Sequence, residues 1–184
     1  MYDFRIVDSP AAVRFTYADY QNLPEESRYE ILDGDLIMSP SPTKEHQQVV
    51  LRLVRALAAY VESNNLGEVF VAPYDVVLSE TDVVQPDILF ISKQRASIAT
   101  KKAVMGAPDL VIEVLSPGTS ERDRTVKAKL YARAGVKELW LVDPETRAIQ
   151  VLKNGPQGFE PQESGTTATS EVVSGFNVAA EQIF

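Results

Sequence analysis

Two acidic residues stand where acids are costly. Asp87 follows Pro86 at the head of the apolar run Ile88-Leu89-Phe90-Ile91, and Glu113 interrupts Leu110-Val111-Ile112-Glu113-Val114-Leu115, the most apolar stretch of the chain. An ionised carboxylate in such surroundings carries a penalty of several kcal/mol unless it is paired or bound to a cation, so Glu113 needs a partner. Two kinds of partner serve: a buried ion pair with a basic residue such as Lys127 or Arg124, or a cation shared with Asp87. Strand alternation puts Asp109, Val111, Glu113 and Leu115 on one face and Leu110, Ile112 and Val114 on the other. If the strand that follows Asp87 pairs beside this one, the two carboxylates converge. With a backbone carbonyl and waters they form an oxygen site of the kind Mg²⁺ accepts when a phosphate completes its shell. The reaction that uses such a site is metal-assisted hydrolysis of a phosphodiester.

Other chemistries are excluded by composition. The 184 residues contain no Cys and one His, His46, so thiol nucleophiles, disulfides, Cys-ligated zinc and two-histidine zinc motifs are absent. With 45% hydrophobic and 24% charged residues, the chain is expected to form a single domain over residues 1–184. No stretch approaches the roughly 18 apolar residues of a membrane span, and the opening Met-Tyr-Asp-Phe-Arg does not read as a leader; no membrane association and a cytoplasmic location are expected. The net charge of −8 argues against a phosphate-rich partner. Its distribution argues the other way, because ten basic residues against four acidic ones fall between Lys93 and Lys137. That window reads either as a phosphate-binding surface or as a solvated helix face.

The elements that must position these groups follow from periodicity. Thr16 to Leu23 reads as a short helix with Thr16 as its N-cap. Tyr29 to Leu32 and Asp35 to Met38 read as a hairpin closed by Asp33-Gly34. Residues 45 to 63 place Val49, Val50, Leu53, Val54, Leu57, Ala58 and Val61 at three- and four-residue intervals, the pattern of an amphipathic helix. Strands are expected at Val69 to Ala72, Asp75 to Leu78, Pro86 to Ile91 and Asp109 to Leu115, the last buried on both faces. A helix from Ser120 to about Ala134, ended by Gly135, then leads to strands at Leu139 to Val142 and Ala148 to Leu152. Residues 156–184 are expected to form peripheral strands. The order predicts an α/β (α+β) domain: a mixed central β-sheet flanked by helices, with an N-terminal helix and β-hairpin.

Several segments together carry a family likeness. Tyr29-Glu30-Ile31-Leu32-Asp33-Gly34, Val84-Gln85-Pro86-Asp87-Ile88-Leu89-Phe90, Ala107 to Pro117, Asp123-Arg124 with Lys127, and Tyr131 to Pro144 resemble the bacterial Uma-type family of restriction-endonuclease-like proteins. Pro86-Asp87, twenty-five residues and then Glu113-Val114-Leu115 is similar to the PD-(D/E)xK nuclease motif. The likeness runs from about residue 15 to about 155. It implies a restriction-endonuclease-like core, Mg²⁺ or Mn²⁺ held by Asp87 and Glu113, DNA as the partner, and hydrolysis of its phosphodiester bonds.

One departure is informative: where the motif has Lys, this chain has Leu115. In the following helix Asp123, Lys127, Leu130, Tyr131 and Ala134 share a face at intervals of three and four, whereas Lys129 and Arg133 lie on another. Lys127 rather than Lys129 is therefore expected to replace the motif lysine, in agreement with relatives whose lysine has moved to a neighbouring helix. Glu30 reads as a third metal ligand, as an acceptor orienting water or Lys127, or as a half-exposed strand carboxylate. His46, at the start of the long helix, reads as a proton carrier or phosphate contact, or as a surface or capping residue. Tyr131 and Trp140 are expected in the core. Cutting both strands of a near-symmetric duplex with one metal site per chain calls for a homodimer. The competing reading is a catalytically inactive nucleic-acid- or protein-binding domain that retains the fold.

Overall fold

Asp33 and Gly34 both adopt positive φ, 50° and 84°, as the two-residue turn with matching twist requires. They join β1 (Tyr29–Leu32) to β2 (Asp35–Met38) in the register expected from the sequence. The computed structural model describes residues 13–23, 28–118, 120–162 and 166–184; the opening Met-Tyr-Asp-Phe-Arg lies outside them. The hairpin does not join the strand of Glu113. It belongs to a five-stranded sheet, β2-β1-β5-β4-β7, completed by β4 (Asp75–Ser79), β5 (Asp82–Val84) and β7 (Ala103–Met105). A six-stranded sheet, β11-β10-β9-β8-β6-β3, contains β3 (Gly67–Val71), β6 (Ile88–Ser92), β8 (Leu110–Val114), β9 (Glu138–Asp143), β10 (Ala148–Gly155) and β11 (Gly158–Pro161).

The two faces of β8 bury different partners, as its alternation demands. Leu110, Ile112 and Val114 pack with Val49, Val50, Leu53, Leu57 and Val61 of the long helix α2 (Lys44–Ser63). Val111 and Leu115 pack with Leu130 and Tyr131, and with Val76, Val84 and Leu32 of the five-stranded sheet. The layers therefore run from α2 through the six-stranded sheet to the second sheet and the crossover helix. The far side of the five-stranded sheet, around Ile31, Val77 and Val83, is covered by Phe15, Tyr17 and Tyr20; the last two belong to α1 (Tyr17–Tyr20), which Thr16 caps.

The crossover from β8 to the parallel β9 departs from a plain helix. It consists of α3 (Ser120–Arg122), a π-helical turn (Asp123–Lys127) and α4 (Ala128–Ala134), which Gly135 closes in the left-handed region at φ 92°. After β11, β12 (Thr167–Thr169) pairs with β13 (Asn177–Ala179), and α5 (Ala180–Ile183) follows. No described helix is long and apolar enough to cross a membrane. The basic window does not form one continuous face. Six of its ten cations, Arg95, Arg122, Arg124, Lys127, Arg133 and Lys137, are in ion pairs with carboxylates.

Candidate active site

The chain passes from one sheet to the other at Gln85-Pro86-Asp87, between the end of β5 and the start of β6. β6 pairs antiparallel with β8 in the register Ile88 to Ile112. Asp87, one residue before β6, and Glu113 of β8 line the same cavity. Oδ2 of Asp87 accepts the Val114 N–H at 2.8 Å and lies 3.1 Å from His46 Nε2. His46 reaches it from the first turn of α2, where its own N–H is capped by Thr43 Oγ1 at 3.2 Å.

Glu113 is 3% exposed. Its Oε1 accepts from Lys127 Nζ at 2.6 Å and from the Tyr131 hydroxyl at 2.5 Å. The same ammonium lies 3.1 Å from Glu30 Oε1 and 3.7 Å from Asp123 Oδ1. Glu30, in β1, is itself held by the Gln85 N–H at 2.9 Å and the Ser39 hydroxyl at 3.2 Å. The structure thus gathers Glu30, Asp87, Glu113 and Lys127 in one place, with His46 on Asp87. Lys129 is exposed and does not join them. The π-helical turn widens the helix just where Asp123 and Lys127 face inward, so that both are buried along with Leu130 and Tyr131 one turn later.

Burial shapes the charges. Desolvation, reinforced by Asp123, Asp87 and Glu30 and opposed by Lys127, pushes the Glu113 carboxyl up to about 8. Burial would lower the Lys127 ammonium, but Glu113 and Glu30 outweigh it and hold the group charged, well above the usual lysine range. Burial would raise Glu30, and Lys127 together with the Gln85 N–H brings it below the ordinary glutamate value instead.

These groups line a cavity of about 60 Å³, in which four carboxylates, Glu30, Asp87, Glu113 and Asp123, face three cations, Arg28, Arg122 and Lys127. Among the described residues no group of three or more His, Asp or Glu side chains is arranged to hold a metal ion. A hydrated hard cation does not need one, since Mg²⁺ keeps several waters and takes one or two carboxylates plus substrate phosphate. Oδ1 of Asp87 and Oε2 of Glu113 accept no hydrogen bond among the described residues, because the bonds above converge on the other oxygen of each acid. The donor set fits such an ion, which would take the place of the proton that burial holds on Glu113.

A family model described as Uma2, putative restriction endonuclease, matches residues 17–181. The chain belongs to the Uma2 family. Its fold is similar to the crystal structure of a putative nuclease belonging to DUF820 from Anabaena variabilis ATCC 29413, with a TM-score of 0.78 and 21% identity over 92% of this chain and 97% of that one. Among curated proteins no match is found. The restriction-endonuclease-like fold expected from the sequence is therefore the fold of this Uma2 chain. Its Leu115 is buried in the apolar core with Leu130 and Tyr131, and the cation beside Glu113 comes from the crossover helix. Sequence reasoning placed Tyr131 in the core and missed its hydroxyl on Glu113; the four-residue step from Lys127 was the available signal. Arg28, Gln85 and Arg122 also line this cavity, and nothing in their spacing announced them.

Proposed function

We propose that this Uma2 domain is a divalent-metal-dependent endonuclease that hydrolyses phosphodiester bonds in DNA, with Mg²⁺ or Mn²⁺ held by Asp87 and Glu113. The observation that carries the reading is the placement of Lys127 between Glu113 and Glu30 while Asp87 lines the same cavity and accepts the N–H of Val114, next to Glu113. A structural ion pair needs only Glu113 and Lys127; it gives no account of the three further acids, Glu30, Asp87 and Asp123, on the same cavity.

When bound, the cation supplies a Lewis acid that neutralises charge on the phosphate oxygens and acidifies a water. Lys127 stays charged, so it stabilises the attacking hydroxide and the charge that develops on phosphorus rather than removing a proton. Its ammonium is ion-paired with Glu113 and Glu30 and lies 3.7 Å from Asp123, which places its charge inside the cavity where a substrate phosphate would sit. Glu30 acts as a positioning residue that aims this ammonium. His46 fixes the Asp87 carboxylate from α2. Arg122 has a buried Nε with no hydrogen-bond partner among the described residues, and together with Arg28 it offers guanidinium donors to phosphate.

Incubation of the purified chain with plasmid and oligonucleotide DNA in Mg²⁺ or Mn²⁺ tests the reading. Cleavage is expected, with loss in EDTA and in Asp87→Ala or Glu113→Ala. Cleavage that persists in EDTA, or variants as active as the parent, would overturn it; DNA binding without cleavage in either metal would favour a binding domain.

A further inference from the structure

A second cavity of about 530 Å³ lies beside the first and shares Arg28 and Gln85 with it. Its walls are aromatic, formed by Tyr17, Tyr20, Tyr29 and Tyr74. The Tyr17 and Tyr20 rings stack with centroids 6.4 Å apart and planes at 25°. A chain of hydrogen bonds orders the polar side. Arg28 Nε donates to Gln85 Oε1 at 3.3 Å, Gln85 Nε2 donates to Asp75 Oδ1 at 2.8 Å and to the Tyr20 oxygen at 3.2 Å, and the Tyr20 hydroxyl donates to Asp75 Oδ1 at 2.8 Å. The backbone N–H of the same Gln85 holds Glu30 in the first cavity. Exposed Lys101 and Lys102 stand on the rim.

We propose that this second cavity receives one unpaired nucleotide of the DNA strand next to the scissile phosphate, and prefers a base that carries an exocyclic amino group. The proposal rests on the nuclease reading for the location of that phosphate. The volume is in the range of small-molecule pockets. Tyrosine faces stack any base, and lysines on the rim suit the flanking phosphates. The preference comes from Asp75. Both of its hydrogen bonds above fall on Oδ1, and a carboxylate, with two oxygens, has room for further donors. The amino groups of cytosine, adenine and guanine donate to such an acceptor; thymine has no amino group, and its one ring N–H is flanked by two carbonyl oxygens that repel a carboxylate. A base inside an intact duplex cannot reach the tyrosines without leaving its stack, so single-stranded, bubbled or flapped DNA is favoured over a fully paired duplex.

Fluorescence anisotropy in EDTA, with fluorescein-labelled duplexes that are fully paired or carry a central bubble of cytosines or of thymines, reads binding without cleavage. The cytosine bubble is expected to bind about 10-fold tighter than the paired duplex, with the thymine bubble between them. Asp75→Asn should erase the cytosine preference, and Tyr17→Ala should weaken both bubbles about 10-fold while sparing the paired duplex; circular dichroism melting checks that each variant folds. Equal affinity for all three duplexes, or folded variants that leave the ratios unchanged, would overturn the proposal. Competition by deoxycytidine monophosphate as strong as by the bubble would also overturn it, by assigning the cavity to a free nucleotide. A protein that keeps the bubble preference but never cleaves would overturn the nuclease reading alone, whereas cleavage without the preference would remove only this subsite.

Discussion

The backbone N–H of Val114 donates to Oδ2 of Asp87 at 2.8 Å, so the residue next to Glu113 orients the acid on the neighbouring strand. The two carboxylates are thereby tied together through the sheet itself. A shift in the pairing of β6 with β8 would move Asp87 and lose this bond at once, which makes their relative placement a property of strand register.

The first prediction separates the two lysines. Lys127→Ala should lower the cleavage rate by about 10²-fold or more, by analogy with electrostatic contributions elsewhere, while Lys129→Ala, on the exposed face, should stay near the parent. Removing the ammonium also strips Glu30 of its buried partner, so initial rates on supercoiled plasmid should be compared at a temperature where all variants are folded. Greater sensitivity at Lys129 would refute the assignment.

The second concerns pH. Glu113 has a carboxyl raised from 4.5 to about 8 in the folded chain, so the native state binds a proton that the unfolded state releases. The stabilisation this gives is complete below about 4.5 and lost as the pH rises through about 8. A cation on Glu113 must displace that proton, and its stabilising effect should grow with pH. Mn²⁺ should therefore raise the melting temperature more at about pH 8.5 than at about pH 6. A shift that is equal at both, or larger on the acid side, would contradict the assignment of Glu113 as a ligand.

The third is a stability test far from the cavity. Asp109 is fully buried; its Oδ1 is ion-paired with Lys137 Nζ at 2.7 Å and Arg95 Nη1 at 3.0 Å, and its Oδ2 accepts the Ser92 N–H at 2.9 Å. Asp109→Ala should cost about 3 kcal/mol, near the low end for a broken buried pair because both cations are partly solvated. Burial raises this carboxyl, but its donors, Lys137 foremost, hold it below the ordinary 3.8. Its contribution is therefore present above that value, and the gap between parent and variant should narrow as the pH falls below it. Urea denaturation measures the difference; a cost under about 1 kcal/mol would mean that the network is unimportant.

A fourth follows from the geometry of a duplex. One such cavity reaches one strand, so double-strand cleavage requires two copies about a twofold axis. Sedimentation equilibrium should find a homodimer at micromolar concentration. A clean monomer that makes double-strand breaks would exclude it.

Much of the site was legible because burial and charge conflict there. An acid inside an apolar strand and a lysine on the apolar face of the next helix are each unusual alone, and together they solve one another's problem. The two-sheet arrangement was not legible. β5 and β7 are three residues long, too short for a period, and alternation does not say which sheet a strand joins. The π-helical turn has no residue signature, since it is a change of hydrogen-bond partner within ordinary helix formers. The ion pairs that divide the basic window were hidden because Asp33, Asp82 and Asp143 come from elsewhere in the chain.

Lys127 touches Glu30 of one sheet and Glu113 of the other, and this bridge has a kinetic consequence. The hairpin can form early from local contacts, and so can the crossover helix. The cavity exists only after the chain has closed loops between residues 30, 87, 113 and 127, and such long-range closure is slow. During refolding, far-UV ellipticity should return before the cavity does. Because strands of the two sheets alternate along the chain, no continuous fragment contains one sheet alone, and none that omits part of 30–127 contains the site.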